Sequence, residues 1–256
     1  MQEADPDMRI LIVNDDGIYS PGILALAQVA REFGEVVLVA PDGERSSTGH
    51  AVTHSRPLSY RKTPIAGFEA FRVDGTPADC VAVGSSITGI DVVLSGINIG
   101  PNLGNSMWHS GTLAGAKQAA LMGSRGIALS AFAASTEAEF ERLKPHVEAV
   151  LRLLLPDTGL PLVNVNFPSE PQGMLWTRQS VRHYDGRIVP IKDPMGRQLY
   201  WFTVVPLEAA EEGTDRWAIE RSLTSITPLR LDLTDLGALD RISHSALSAP
   251  SASPET

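Results

Sequence analysis

Short apolar runs separated by amphipathic stretches organise the first two thirds of the chain. Met8 to Val13, Val36 to Ala40, Val92 to Leu94, Ile127 to Leu129 and Leu162 to Asn166 are rich in Ile, Leu and Val, the texture of strands buried in a parallel sheet. Ser20-Pro21-Gly22 reads as an N-cap followed by Pro at the first helical position. Ile23, Leu26, Ala27, Ala30 and Phe33 then recur at helical spacing until Gly34. Strand, helix and strand within about 33 residues make a βαβ unit. A small-residue helix is expected from about Thr112 to Met122. Thr136 with Glu139 matches a capping box for a helix reaching Leu155, kinked near Pro145. The predicted class is α/β, a mostly parallel sheet with helices on both faces.

Beyond about residue 170 the pattern changes. Trp176 to Thr177, Arg187 to Ile191, Leu199 to Val205 and Ser225 to Leu233 carry β-type residues separated by Pro, Gly and Asp, which predicts a C-terminal β-hairpin extension. Residues 1–170 are therefore expected as an α/β core and 171–242 as a β-rich extension. The extension either reaches a second subunit or covers the site from its own chain. Residues 243–256, rich in Ser, Ala and Pro, predict a disordered tail.

Composition narrows the function. With 256 residues, 43% of them hydrophobic, the chain can bury a sizeable core. A formal net charge of −9 argues against sequence-independent DNA or RNA binding, which needs Lys and Arg against phosphates. Cys80 is the only cysteine, so no intrachain disulfide forms. No signal peptide and no membrane-spanning run is expected, and the cytoplasm is the expected compartment.

The first strand ends in Asn14-Asp15-Asp16-Gly17. Two adjacent carboxylates within a strand point to opposite faces, whereas at its last residue and the following turn they can converge on one ion. Asp-Asp-Gly is also a plain turn signal, with Gly supplying positive φ. The loops after the first three strands add Ser46, Ser47, Asn98 and Asn102, all at one sheet edge if the strands are parallel. Such oxygen ligands suit magnesium, manganese or calcium, and no His/Cys cluster offers a zinc pattern. Two like charges about 4 Å apart repel by roughly 4 kcal/mol at an effective dielectric near 20, so a bare aspartate pair rejects a phosphate dianion and a metal reverses that sign. Backbone amides in the loop and helix start around Thr112 are the candidates for the remaining phosphate oxygens.

The chain resembles the SurE family, the stationary-phase survival proteins, from about Met8 to Leu233. The resemblance is carried by Arg9 to Ile18, Ala40-Pro41 with Glu44 to His50, Asp74 to Cys80, and Ser95-Gly96-Ile97-Asn98-Ile99-Gly100-Pro101-Asn102. It continues through Ser110-Gly111-Thr112, Asn164 to Pro168, Asp193-Pro194 with Gly196, and Thr227-Pro228-Leu229, in order. Membership implies a Rossmann-like fold and a metal-dependent nucleotidase acting on nucleoside 5′- and 3′-monophosphates, with short polyphosphate a further substrate in some members. It implies one divalent cation per subunit, Mg²⁺ or Mn²⁺, on Asp15, Asp16, Ser46 and Asn98. It also implies a C-terminal extension exchanged between subunits of a homodimer or homotetramer. His109 stands where a Tyr is common, Met195 where an Arg is frequent, and Lys117-Gln118 where Met-Glu is common, which bears on base preference and the rim.

Asp15, Asp16 and Asn98 are thus the catalytic candidates, and Asn102, Ser110, Gly111 and Thr112 the phosphate-binding ones. Ser110 and Thr112 also fit plain N-capping, and Asn102 a left-handed loop position. His109 is a general-acid candidate or a rim residue, His50 a rim contact, and Trp108 a stacking surface for a base. In-line attack by water competes with an aspartyl-phosphate intermediate, and the spacing does not separate them. A non-catalytic nucleotide sensor on the same metal site is the alternative. A nicotinamide oxidoreductase fails because carboxylates stand where Gly-x-Gly-x-x-Gly belongs.

Overall fold

Strand β1 (Arg9–Val13) sends alternate side chains into two cores: Ile10 and Ile12 into one, Leu11 and Val13 into the other. That double burial is what its unbroken apolar run demands. The computed structural model describes residues 8–132, 134–156, 158–181, 186–204 and 210–243. From β1 the chain continues as α1 (Pro21–Ala30), β2 (Glu35–Pro41), β3 (Tyr60–Lys62), β4 (Glu69–Val73), α2 (Pro77–Ile87) and β5 (Val92–Ile99). A 3₁₀ turn at Gly104–Trp108 then leads into α3 (Gly111–Leu121), β6 (Arg125–Ala131), α4 (Glu137–Leu154) and β7 (Leu162–Phe167). The remainder forms β8 (Gly173–Trp176), β9 (Gly186–Lys192), β10 (Gln198–Val204), α5 (Asp215–Ile219), β11 (Leu223–Pro228) and α6 (Leu236–Ser243).

Among the described residues the main sheet has nine strands in the order β3-β4-β2-β1-β5-β6-β7-β11-β8. The six from β4 to β7 are parallel to one another, while β3 and β11 run antiparallel to their neighbours β4 and β7. Helices α1 and α4 pack on one face with Ile10, Ile12 and Leu38; α2 and α3 cover the other with Leu11, Val13 and Val93. Because the chain runs outward from β1 to β2 and β4 and then returns to β5, the order reverses between β1 and β5. The carboxyl ends of those two strands therefore flank the crevice where open α/β sheets bind ligands.

Several elements differ from the sequence expectation. The pair β4 and α2 fills the stretch after Pro41, with Thr76 and Asp79 closing a capping box at the start of α2. The helix across Pro145, by contrast, is as expected, with α4 running from Glu137 to Leu154. The late strands divide: among the described residues β9 and β10 pair only with each other, whereas β8 and β11 continue the main sheet beyond β7. The reason is register. Ser225, Ile226, Thr227 and Pro228 align with Asn166 to Val163, and Ser225, Thr227 and Thr177 are joined by hydroxyl hydrogen bonds of 2.7–2.8 Å that satisfy them once buried. The expected tail begins one residue inside α6, and its residues 244–256 lie outside the described part. No helix among the described residues is long and apolar enough to cross a membrane.

Contact between α1 and β5 depends on Gly22, where a Cβ would stand 2.1 Å from the Ile97 carbonyl oxygen. Ala in a helix ordinarily gains about 0.5–1 kcal/mol over Gly. Here the backbone clash outweighs it, and Gly22→Ala is expected to destabilise the fold by about 1–3 kcal/mol, read as a lower urea midpoint. A midpoint at or above the parent value would show that α1 and β5 separate freely.

Candidate functional site

The turn after β1 is built from its own sequence. Asn14, fully buried, donates through Nδ2 to the Gly17 carbonyl at 3.0 Å and to Ser20 Oγ at 2.7 Å, and its Oδ1 accepts the Gly17 amide at 3.2 Å. Gly17 takes φ +97°, a value that costs a side-chain-bearing residue dearly. Ser20 meanwhile caps α1 by accepting the Ile23 amide. These bonds fix the backbone on either side of Asp15 and Asp16 before either side chain has a partner.

Asp15 is buried, 4% exposed, against the amino end of α3. Thr112 Oγ1 donates to Asp15 Oδ1 at 2.8 Å, and a Cβ on Gly111 would lie 2.8 Å from the Asp15 carboxylate, so only glycine lets the helix start come this close. Asn102 Nδ2 in turn donates to Thr112 Oγ1 at 3.3 Å and to Ser130 Oγ at 2.8 Å. The Asn102 amide donates to Asn166 Oδ1 at 2.7 Å, and the side-chain amides of Asn164 and Asn166 donate to its carbonyl. Ser110 Oγ accepts the Leu113 amide at 3.0 Å, so its side chain is spent on N-capping α3.

Asp16 is half-buried, and its Oδ2 accepts the Ile99 amide from the end of β5 at 3.1 Å. Asn98 lies within β5 rather than in the loop after it; the register against β6 shifts between Ser95 and Asn98. Its Nδ2 donates to the Gly100 carbonyl at 2.7 Å, which leaves Oδ1 as the acceptor facing elsewhere. On the other side the Arg45 amide donates to the Asp15 carbonyl at 2.7 Å, hanging the loop after β2 directly on the turn. Ser46 is exposed on that loop and donates to Glu44 Oε1 at 2.7 Å. At the rim, His50 Nε2 is 2.9 Å from Gln118 Oε1, the Gly49 amide donates to the His109 carbonyl, and Trp108 is exposed.

Burial pushes the Asp15 carboxyl above its ordinary range, opposed by the Thr112 hydrogen bonds. Asp16 is raised to about 6, by burial first and then by the negative charge of Asp15, with Glu44 adding to both. Asp15 accepts the Thr112 hydroxyl on Oδ1 and also takes backbone amides of Thr112 and of its own residue, whereas the donor seen on Asp16 among the described residues is the Ile99 amide on Oδ2. The two carboxylates, Asn98 Oδ1 and the Ser46 hydroxyl offer only oxygen, two charged groups and two neutral ones, a donor chemistry that suits a hard divalent cation. Among the described residues no cluster of three or more His, Cys, Asp and Glu stands at metal-ligand spacing. Glu44, the Ile99 amide and the Ser130, Asn164 and Asn166 side chains were not among the sequence candidates. Two asparagines at i, i+2 in the buried strand Leu162–Phe167 were the available signal, since they share one face and each needs a polar partner.

The family model described as Survival protein SurE matches residues 10–186. The chain is 46% identical to 5′-nucleotidase SurE 1 of Thermus thermophilus over 244 residues, covering 92% of this chain and 97% of that one. It is 43% identical to 5′-nucleotidase SurE of Deinococcus radiodurans over 237 residues, 88% of each. The crystal structure of the SurE protein from Aquifex aeolicus superposes with a TM-score of 0.79 at 40% identity, covering 92% of this chain and 98% of that one.

The carboxylate pair carries a pH signature of its own. Asp16 binds its proton more tightly in the folded protein than in the unfolded chain, so its ionisation costs stability above about pH 6, and that cost vanishes as pH falls through 6 toward 4. In chelated protein, Asp16→Asn should therefore melt above the parent at pH 8, with the gap closing on acidification through pH 6. An Asp16→Asn variant that melts lower at pH 8 would mean that the carboxylate is a net stabiliser with a partner in the fold.

Proposed function

Because this chain belongs to the SurE family, we propose that it is a divalent-metal-dependent phosphomonoesterase that hydrolyses nucleoside 5′- and 3′-monophosphates to nucleoside and phosphate. The observation that carries this reading is the Asp15–Asp16 pair at the switch point between β1 and β5, facing the amino end of α3. In this reading Asp15, Asp16, Ser46 and Asn98 hold one Mg²⁺ or Mn²⁺ ion. A bound ion would supply Lewis-acid polarisation of the phosphoryl group and a more acidic water.

The protein residues then have distinct roles. Thr112 holds the Asp15 carboxylate by its hydroxyl on Oδ1 and by its backbone amide. The Ile99 amide holds Asp16 by Oδ2, and one of the two aspartates accepts the proton of the attacking water. Asn102 aligns the loop with α3, and the helix start, Ser110 to Thr112, offers the positive end of α3 to the phosphoryl oxygens. Trp108, exposed at the rim beside the Gly49–His109 contact, is available to a base. The acidic surface disfavours long polyanions, so mononucleotides are preferred over RNA, DNA and long polyphosphate.

The hairpin β9–β10 supports a second part of the proposal, assembly into a homodimer or homotetramer. Ile188, Tyr200 and Trp201 are exposed on a two-stranded unit that pairs with no other strand among the described residues, and an isolated hairpin with such a surface gains by packing on a second copy.

Phosphate release from AMP should vanish in EDTA and return with Mn²⁺ or Mg²⁺ better than with Zn²⁺. Asp15→Asn and Asp16→Asn should each lower kcat by orders of magnitude in folded protein. Full activity after exhaustive chelation would overturn the metal reading, and a hundredfold preference for p-nitrophenyl phosphate over every nucleotide would overturn the nucleotidase one. Replacing residues 186–204 by a short Gly/Ser linker should reduce the assembly size seen by light scattering while the main sheet survives. An unchanged mass would remove the hairpin from the interface.

A further inference from the structure

Asp215 is a carboxylate with no exposed surface, and every partner it has among the bonds seen is a backbone amide. Its Oδ2 accepts the Gly104 amide at 2.8 Å, and its Oδ1 accepts those of Ser180 at 3.0 Å and Arg216 at 2.8 Å. Burying a carboxylate is costly unless it is well hydrogen-bonded, and these bonds are of the charge-assisted kind. The partner that matters is Gly104, two residues beyond Asn102 and the first residue of the 3₁₀ turn that delivers the chain to Ser110 and α3.

Gly104 is gripped from both sides. Its carbonyl accepts Gln179 Nε2 at 3.0 Å. Its φ is +55°, and a Cβ there would lie 2.6 Å from Ser180 Oγ and 2.7 Å from the Ser180 carbonyl oxygen. Asp215 and Gln179 belong to the two segments that lead out of and into β9–β10. Those segments are stitched together by the Arg178 amide on the Gly213 carbonyl and the Asp215 amide on the Arg178 carbonyl, each at 3.0 Å. The loop from Asn102 to Ser110 thus has one anchor on the sheet, through Asn164 and Asn166, and a second at the base of the hairpin.

We propose that Asp215 is a positioning residue that fixes the phosphate-binding loop through the Gly104 amide, so that the base of the β9–β10 hairpin sets where the loop lies. The proposal rests on the reading of residues 102–112 as phosphate-binding. Asp215 reaches no candidate metal ligand, so its influence falls on substrate binding more than on the chemical step.

Asp215→Asn is the sharp variant. Asn Oδ1 retains the bonds from Ser180 and Arg216, while Nδ2 sets a donor against the Gly104 amide. Loss of one charge-assisted hydrogen bond predicts a KM for AMP raised by about tenfold or more, with kcat and the Kd for Mn²⁺ in nucleotide-free protein within about twofold to threefold of the parent. Hydrogen exchange of the amides from Gly104 to His109 should accelerate by about tenfold or more, while those of β1 and β5 hold. Gln179→Ala should move KM and loop exchange in the same direction and less; if Asp215→Asn fails to fold, Gln179→Ala decides alone. Unchanged KM and unchanged loop exchange would overturn the proposal, as would a selective fall in kcat or in Mn²⁺ affinity. Should the parent protein hydrolyse no nucleotide, the proposed function fails, and the exchange measurement still decides whether Asp215 holds the loop.

Discussion

Everything at this site depends on one close approach, the amino end of α3 set against the Asp15 carboxylate. Gly111 permits it, Thr112 binds it, and the sheet order supplies it by placing β1 beside β5 with α3 on the face below. A carboxylate taken out of water needs compensation. Thr112 provides part, and the remainder is left over as a raised proton affinity that Asp16 shares. In the proposed reading the same shortfall suits the pair to a cation, because a group fully satisfied by the protein has no affinity left for a ligand.

Around that contact the polar residues form a layered support. Asn102 links α3 to β6 through Ser130, and β7 holds Asn102 by two side-chain amides. Such a network is worth having in a buried place only when its members are satisfied, and most here are. The elements that bring the residues together are rigid strands and helix starts. The loop after β2 is the exception: it carries Ser46 in an exposed position and is tied down by the Arg45 amide on the Asp15 carbonyl.

Much of this was legible in the sequence, for identifiable reasons. Buried strands announce themselves by apolar runs, and α1 by Ser20, Pro21 and a clean helical period. Asp15, Asp16 and Asn98 could be nominated because strand ends at a switch point are where polar residues gather in an otherwise apolar pattern. The β4–α2 segment was missed although Thr76 and Asp79 have capping spacing, since Glu69–Val73 mixes two charges, Glu69 and Arg72, into a short strand. The placement of β11 beside β7 was not readable, because Ser225 and Thr227 look like surface residues until Thr177 supplies their partner. Asp215 left no local signal: its partners at Gly104 and Ser180 lie 111 and 35 residues away, and only tertiary structure makes a buried carboxylate visible.

Asn14 organises Gly17 and Ser20 within the turn, and two backbone bonds tie the same turn to β2 and the loop after it, the Ile18 amide on the Pro41 carbonyl and the Arg45 amide on the Asp15 carbonyl. In design terms this seven-residue turn is portable to the end of another parallel strand only where the host supplies those two backbone bonds. Its electrostatics do not travel with it. Thr112 and the Ile99 amide come from elsewhere in the fold, so a transplanted turn would present two carboxylates competing for one proton. Such a graft would reproduce the look of this site and bind cations only as well as its new host solvated the pair.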